Sequence, residues 1–199
     1  MFDQLFLENI PEVGMTIGEE EVTVKRVSEF DNGTVTGGKM IGYDHNNLDE
    51  FLKETGYEYY LISGRYNCFI SHVDFKTGYK FFATDKTNHT PADDNTMQRM
   101  FDIHNDLYKA GFGPKPYELL PNSCMLIEKS IGSLEKPSKD WVSAILKYCK
   151  EKGIYRNTND AADLAWEVQK RTNVINTSNG YHFIDIDYKV EYYDKTCYI

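Results

Sequence analysis

The sequence predicts an α+β fold, and three observations carry that expectation. Tyr and Phe are abundant (15 and 11), which favours strands and a thick aromatic core over a plain helical bundle. Strand-like runs cluster in the first two thirds of the chain, whereas long apolar faces of helical period fall near residues 93–110 and again beyond residue 131. The order is therefore sheet, helix, sheet, then helices and a late hairpin, which is an α+β pattern split near residue 131.

Each element has a local reason. Residues 21–30 alternate at Val22 and Val24 before the turn Asp31-Asn32-Gly33, and a second run, 34–42, carries its own Gly37-Gly38 break. A short amphipathic helix is expected near 47–55, with Leu48, Phe51 and Leu52 on one face and Gly56 as its stop. Residues 57–84 read as three consecutive antiparallel strands, YEYYLIS, NCFISHV and YKFFAT. The helix near 93–110 places Met97, Met100, Phe101, His104, Leu107 and Tyr108 at helical spacing, and Gly111, Pro114 and Pro116 end it. Strands PYELL and CMLIEKS follow. Ser138 is the expected N-cap of a helix that stops at Gly153, and a second helix is expected near 159–170. A strand near Val174-Ile175, a turn through Asn176–Gly180 and the strand YHFIDIDYKV close the chain.

The composition excludes several classes of function. The 199 residues and 23.1 kDa suffice for a core without disulfides or metal. A net charge of −9 argues against a general nucleic-acid binder. No apolar run approaches the roughly 20 residues of a membrane span, and the first stretch lacks the pattern of a signal peptide. A cytoplasmic protein with no membrane partner is the expectation. Cys68, Cys124, Cys149 and Cys197 show no zinc-ligand spacing and read as free thiols. The five histidines share no ligand spacing, and His104 falls on an apolar helix face. Neither G-x-S-x-G nor H-E-x-x-H occurs.

Over roughly residues 57–188 the element order resembles the protein-kinase-like superfamily, which includes protein kinases and aminoglycoside phosphotransferases. Three strands, one helix and two more strands are similar to its small lobe. LYKAGFGPKPYELLPNSCMLIEKSIG resembles the helix end, two strands and hinge, and NVINTSNGYHFIDID resembles its metal-binding hairpin. The resemblance implies a two-lobe domain: an N-terminal extension (1–56) packed on the small lobe, the small lobe (57–131), and a reduced helical lobe (132–199). It implies ATP with Mg²⁺ or Mn²⁺ as ligands. Asn173, Asp185 and Asp187 match the metal-binding positions, with Asp187 expected on the same face of an extended strand as Asp185. Gly64 matches the phosphate-binding turn, Lys80 or Lys86 the phosphate-gripping lysine, and Glu128 and Lys129 the hinge that meets adenine. A solvent-facing edge strand is the competing reading of Asp185 and Asp187.

The chain also departs from the family. Met100 stands where the helix should carry Glu, with Gln98 and Asp102 the nearest polar residues. Counting back five from Asn173 gives Val168, which cannot take a proton, and in a second register Asn157 replaces the base with Asp160 or Asp163 nearby. No catalytic residue is assigned. The expected function is a divergent kinase-like domain that binds a nucleotide–metal complex, as an atypical phosphotransferase or a pseudokinase, with a protein substrate or partner. The alternative is a non-enzymatic protein-interaction module with a kinase-like or unrelated α+β fold.

Overall fold

The computed structural model describes residues 12–17, 19–27, 30–31, 34–35, 40–41, 59–63, 67–72, 76–85, 90–157 and 164–192. Its strands and helices are β1 (Glu12–Ile17), β2 (Glu20–Val27), β3 (Phe30–Asp31), β4 (Thr34–Val35), β5 (Met40–Ile41), β6 (Tyr59–Ser63), β7 (Asn67–His72), β8 (Thr77–Phe82), α1 (Asp94–Lys109), β9 (Pro116–Leu120) and β10 (Cys124–Glu128). Then come β11 (Gly132–Leu134), α2 (Lys139–Lys152), β12 (Ile154–Arg156), α3 (Leu164–Glu167), a 3₁₀ turn (Arg171–Asn173), β13 (Val174–Thr177), β14 (Gly180–Phe183) and β15 (Val190–Tyr192). The fold is α+β, with mostly antiparallel sheets.

The main sheet runs β1-β2-β6-β7-β8-β10-β9. Every neighbouring pair is antiparallel except β2 and β6, which lie parallel with Lys25 opposite Tyr60. β1 and β2 thus lengthen the same sheet. Side chains alternate along β8: Gly78, Lys80 and Phe82 are buried on one face, and Tyr79 and Phe81 pack on the opposite face with Ile17, Val24 and Ile70. Gly78 is required there, because a Cβ would collide with the Phe69 ring and the Ile70 carbonyl.

α1 starts where expected. Asp93 caps it, its carboxylate accepting from the Thr96 N–H at 2.7 Å. Met97, Met100, Ile103, His104 and Leu107 are buried at the 3–4-residue spacing of a single helical face. α2 is capped by Ser138 and ends at Gly153, whose φ of 73° is the left-handed conformation glycine adopts without strain. The main core joins α1 and the inner sheet face to the later elements through Ile145, Cys149, Ile154, Val168, Val174, Phe183 and Ile186. Cys124 and Cys149 are buried and Cys68 half-buried, and all three are thiols outside any disulfide; burial pushes the Cys124 and Cys149 thiols up to about 12.

Two late elements differ from the sequence expectation. Among the described residues of the expected 159–170 helix, Leu164–Glu167 is helical and 168–170 is not; residues 158–163 lie outside the described set. The chain then tightens, the Lys170 N–H bonding the Glu167 carbonyl and the Asn173 N–H the Lys170 carbonyl. The expected strand over 181–190 stops at Phe183. The Ile184 N–H bonds the Asn173 carbonyl at 2.9 Å, and Asp187 closes a turn by accepting from the Val190 N–H through its carbonyl and the Lys189 N–H through Oδ1. β15 then pairs with β12. β1, β11, β12 and β15 were not anticipated. The expected 47–55 helix lies outside the described residues.

Candidate functional site

β8 carries Lys80 inward, beneath α1. Only 5% of the residue is exposed. Its ammonium donates to the Ile184 carbonyl at 2.8 Å and lies 3.3 Å from His104 Nε2. The same nitrogen sits 5.2 Å from the Phe82 ring centroid. Burial lowers the Lys80 pKa to about 8, against the opposing pull of Asp185 and Asp187. Burial, then the Lys80 charge, hold His104 well below its ordinary value.

Asp185 follows β14 in the irregular Ile184–Asp187 segment. Its Oδ1 accepts from Asn67 Nδ2 at 3.2 Å, and Oδ2 has no hydrogen-bond partner among the described residues. Burial raises its pKa, and Lys80 and the Asn67 amide oppose the rise. The segment is not a strand, so the same-face argument for Asp187 fails. Asp187 turns instead to Arg156, with Nη2–Oδ2 at 2.9 Å.

A second buried cluster surrounds that ion pair. Arg156 Nη1 lies 3.6 Å from Glu167 Oε1, and Glu167 also receives Lys170 at 2.8 Å and the Asn173 amide at 2.8 Å. Burial opposes the Arg156 charge, but the Asp187 hydrogen bond and the surrounding carboxylates raise its pKa on balance. Asn173 is buried, its Nδ2 donating to Glu167 and its Oδ1 accepting from Thr172 Oγ1 at 3.0 Å.

The expected site residues therefore divide. Lys80 and Asp185 come together; Asp187 and Asn173 lie close by but are committed to protein partners. Gly64 and Lys86 lie outside the described residues, as do Asp160 and Asp163. Glu128 and Lys129 follow one another at the end of β10 and just beyond it, and both backbone N–H groups are engaged: Glu128 with the Lys115 carbonyl and Lys129 with the Lys76 carbonyl, each at 2.8 Å. The Glu128 carboxylate accepts from the Lys115 N–H. Met100 is fully buried, and the helix residue that meets Lys80 is His104, one turn later. Asn157 is exposed, with its N–H on the Lys189 carbonyl.

Sequence reasoning missed Asn67, His104, Arg156 and Glu167 as partners of these groups. Only Glu167 had a local signal, since Lys170 three residues on and Asn173 six residues on share its turn. Among the described residues no group of three or more His, Cys, Asp or Glu is placed to hold a metal unaided. Mg²⁺ commonly binds through one or two carboxylates plus substrate phosphates; Asp185 has an oxygen without a hydrogen bond among the described residues, whereas the oxygens of Asp187 and Asn173 already accept from Arg156, Lys189 and Thr172. No family model and no curated protein matches the chain.

Proposed function

We propose that the chain is a reduced, divergent member of the protein-kinase-like superfamily that binds a nucleotide with a divalent cation at the Lys80–Asp185 junction. The observation that supports this reading is the bond from an inward lysine, on the third of three consecutive antiparallel strands, to the Ile184 carbonyl beside Asp185, more than 100 positions later, with the Asp185 charge acting on that lysine. Element order agrees: three strands, α1, then β9 and β10. The link over 128–132 is the hinge of the proposed two lobes.

In this reading Lys80 holds phosphate oxygens and Asp185 holds the cation. Bound Mg²⁺ or Mn²⁺ supplies charge neutralisation of the phosphates. Asn67 orients the Asp185 carboxylate. No proton acceptor takes the place of a general base at Val168 or Asn157, which favours binding without robust turnover. Calorimetric titration with Mg·ATP tests the reading. Asp185→Asn and Lys80→Met are each expected to weaken binding about tenfold or more, and undiminished binding in both would overturn it.

A further inference from the structure

Lys80 is held in an unusual way for a buried cation. Its near partners are a backbone carbonyl, an imidazole nitrogen and an aromatic ring, all uncharged. None of the ion pairs among the described residues includes it.

The protonation of His104 follows from its two neighbours. Nδ1 lies 2.7 Å from the Met100 carbonyl, which can only accept, so Nδ1 carries the proton. Nε2 faces an ammonium, which can only donate, so Nε2 is the bare nitrogen. Both contacts demand the same neutral tautomer. The Phe82 ring, edge-on to the imidazole at 5.8 Å, fixes the ring plane. An ammonium has three donors; Ile184 and His104 occupy two, which leaves one for a ligand.

We infer that His104 is the positioning residue of Lys80, a neutral acceptor that aims the ammonium without cancelling its charge and so presents a full positive charge to a phosphate group. The ligand class rests on the nucleotide reading above; the Lys80–His104 pair does not. A carboxylate in the same place would form an ion pair with Lys80 and reduce the charge left for the ligand. The neutral acceptor leaves the charge to be met by the ligand, aided at longer range by Asp185.

Two measurements test this. Long-range ¹H–¹⁵N NMR of the imidazole groups, in wild type and Lys80→Met, reads the tautomer directly and needs no ligand. The expected result is a neutral Nδ1–H ring at neutral pH, with an Nε2 resonance that moves when Lys80 is lost. An Nε2–H ring, an imidazolium, or an Nε2 indifferent to Lys80→Met would overturn the inference. Titration with Mg·ATP then compares His104→Gln, whose amide oxygen reaches the Nε2 position, with His104→Leu, which has no acceptor. His104→Gln is expected to stay within about threefold of wild type and His104→Leu to lose about tenfold. Equal losses in the two folded variants would overturn the positioning role. A wild-type chain with the expected tautomer but no affinity for Mg·ATP would overturn the nucleotide reading and the ligand named here, with the Lys80–His104 pair left standing.

Discussion

Two cations of this molecule, the half-buried Arg156 and the buried Lys80, are handled in opposite ways. Around Arg156 the partners are carboxylates: Asp187 at 2.9 Å and Glu167 at 3.6 Å, with Lys170 and Asn173 completing the cluster. Around Lys80 the near partners are neutral. The first arrangement closes on itself, since its charges are balanced and its oxygens engaged. The second is electrostatically open. A buried ion pair suffers mainly when one partner is removed, whereas a buried charge with no carboxylate at ion-pair distance has its pKa lowered by desolvation, which the more distant Asp185 and Asp187 only partly offset. The difference separates a cluster whose charges are met within the chain from one whose lysine keeps neutral near partners, the place where we propose a ligand binds.

The largest expected effect falls on the closed cluster. Arg156→Met leaves the buried Asp187 carboxylate without its ion-pair partner, while Glu167 keeps Lys170 and Asn173, and is expected to cost about 3–5 kcal/mol in urea unfolding; a loss below about 1 kcal/mol would erase the contrast between the two regions.

Next comes the pH dependence of Lys80. Below about pH 8 the folded and unfolded chains both carry the ammonium. Between about 8 and the ordinary 10.5 only the unfolded chain keeps the proton, so stability rises with pH. The stability of wild type minus that of Lys80→Met is expected to increase by about 2–3 kcal/mol from about pH 7 to about pH 10. A flat difference in unfolding free energy over that range would show that Lys80 is not held as a solitary cation.

Ligand binding sharpens the comparison further. Asp185→Asn is expected to weaken Mg·ATP binding about tenfold or more. Asn157→Ala, at an exposed position, is expected to stay within about twofold. Equal losses by calorimetry would place the binding determinants elsewhere.

The smallest effect is the control. Lys147 and Glu151 form an exposed pair on α2, with side chains 78% and 63% exposed. Lys147→Met is expected to change stability by less than about 0.5 kcal/mol. A loss approaching that of Arg156→Met would mean that burial is not what distinguishes the clusters.

The elements legible in the sequence are those with local causes. The Asp94–Lys109 helix follows from its apolar spacing and its cap, and the Ser138 and Gly153 boundaries of α2 follow from cap chemistry. β11, β12 and β15 were not legible, because each is only three residues long and exists through a partner distant in sequence. The Ile184–Asp187 segment misled for the same reason. Its alternation has the period of a strand, but backbone bonds from Phe183 to Phe112 and from Ile184 to Asn173 replace the ladder. Lys80 and Asp185 were legible as candidate site residues, and their approach depends on the Ile184 carbonyl reaching β8. His104 was legible only as a core histidine, since its tautomer depends on an ammonium that the fold brings to it from another element.

The bond from Lys80 to the Ile184 carbonyl joins residues 104 positions apart, and that separation governs when the candidate site comes into existence. Contacts within β6–β8 join neighbouring strands, whereas closure over 104 positions carries a larger entropy cost. During synthesis β8 and α1 are made well before residue 184, so Lys80 and His104 are both present before the Ile184 carbonyl. The candidate site is completed only when that backbone carbonyl arrives from a later element, and a nascent chain that stops short of residue 184 lacks this partner for Lys80.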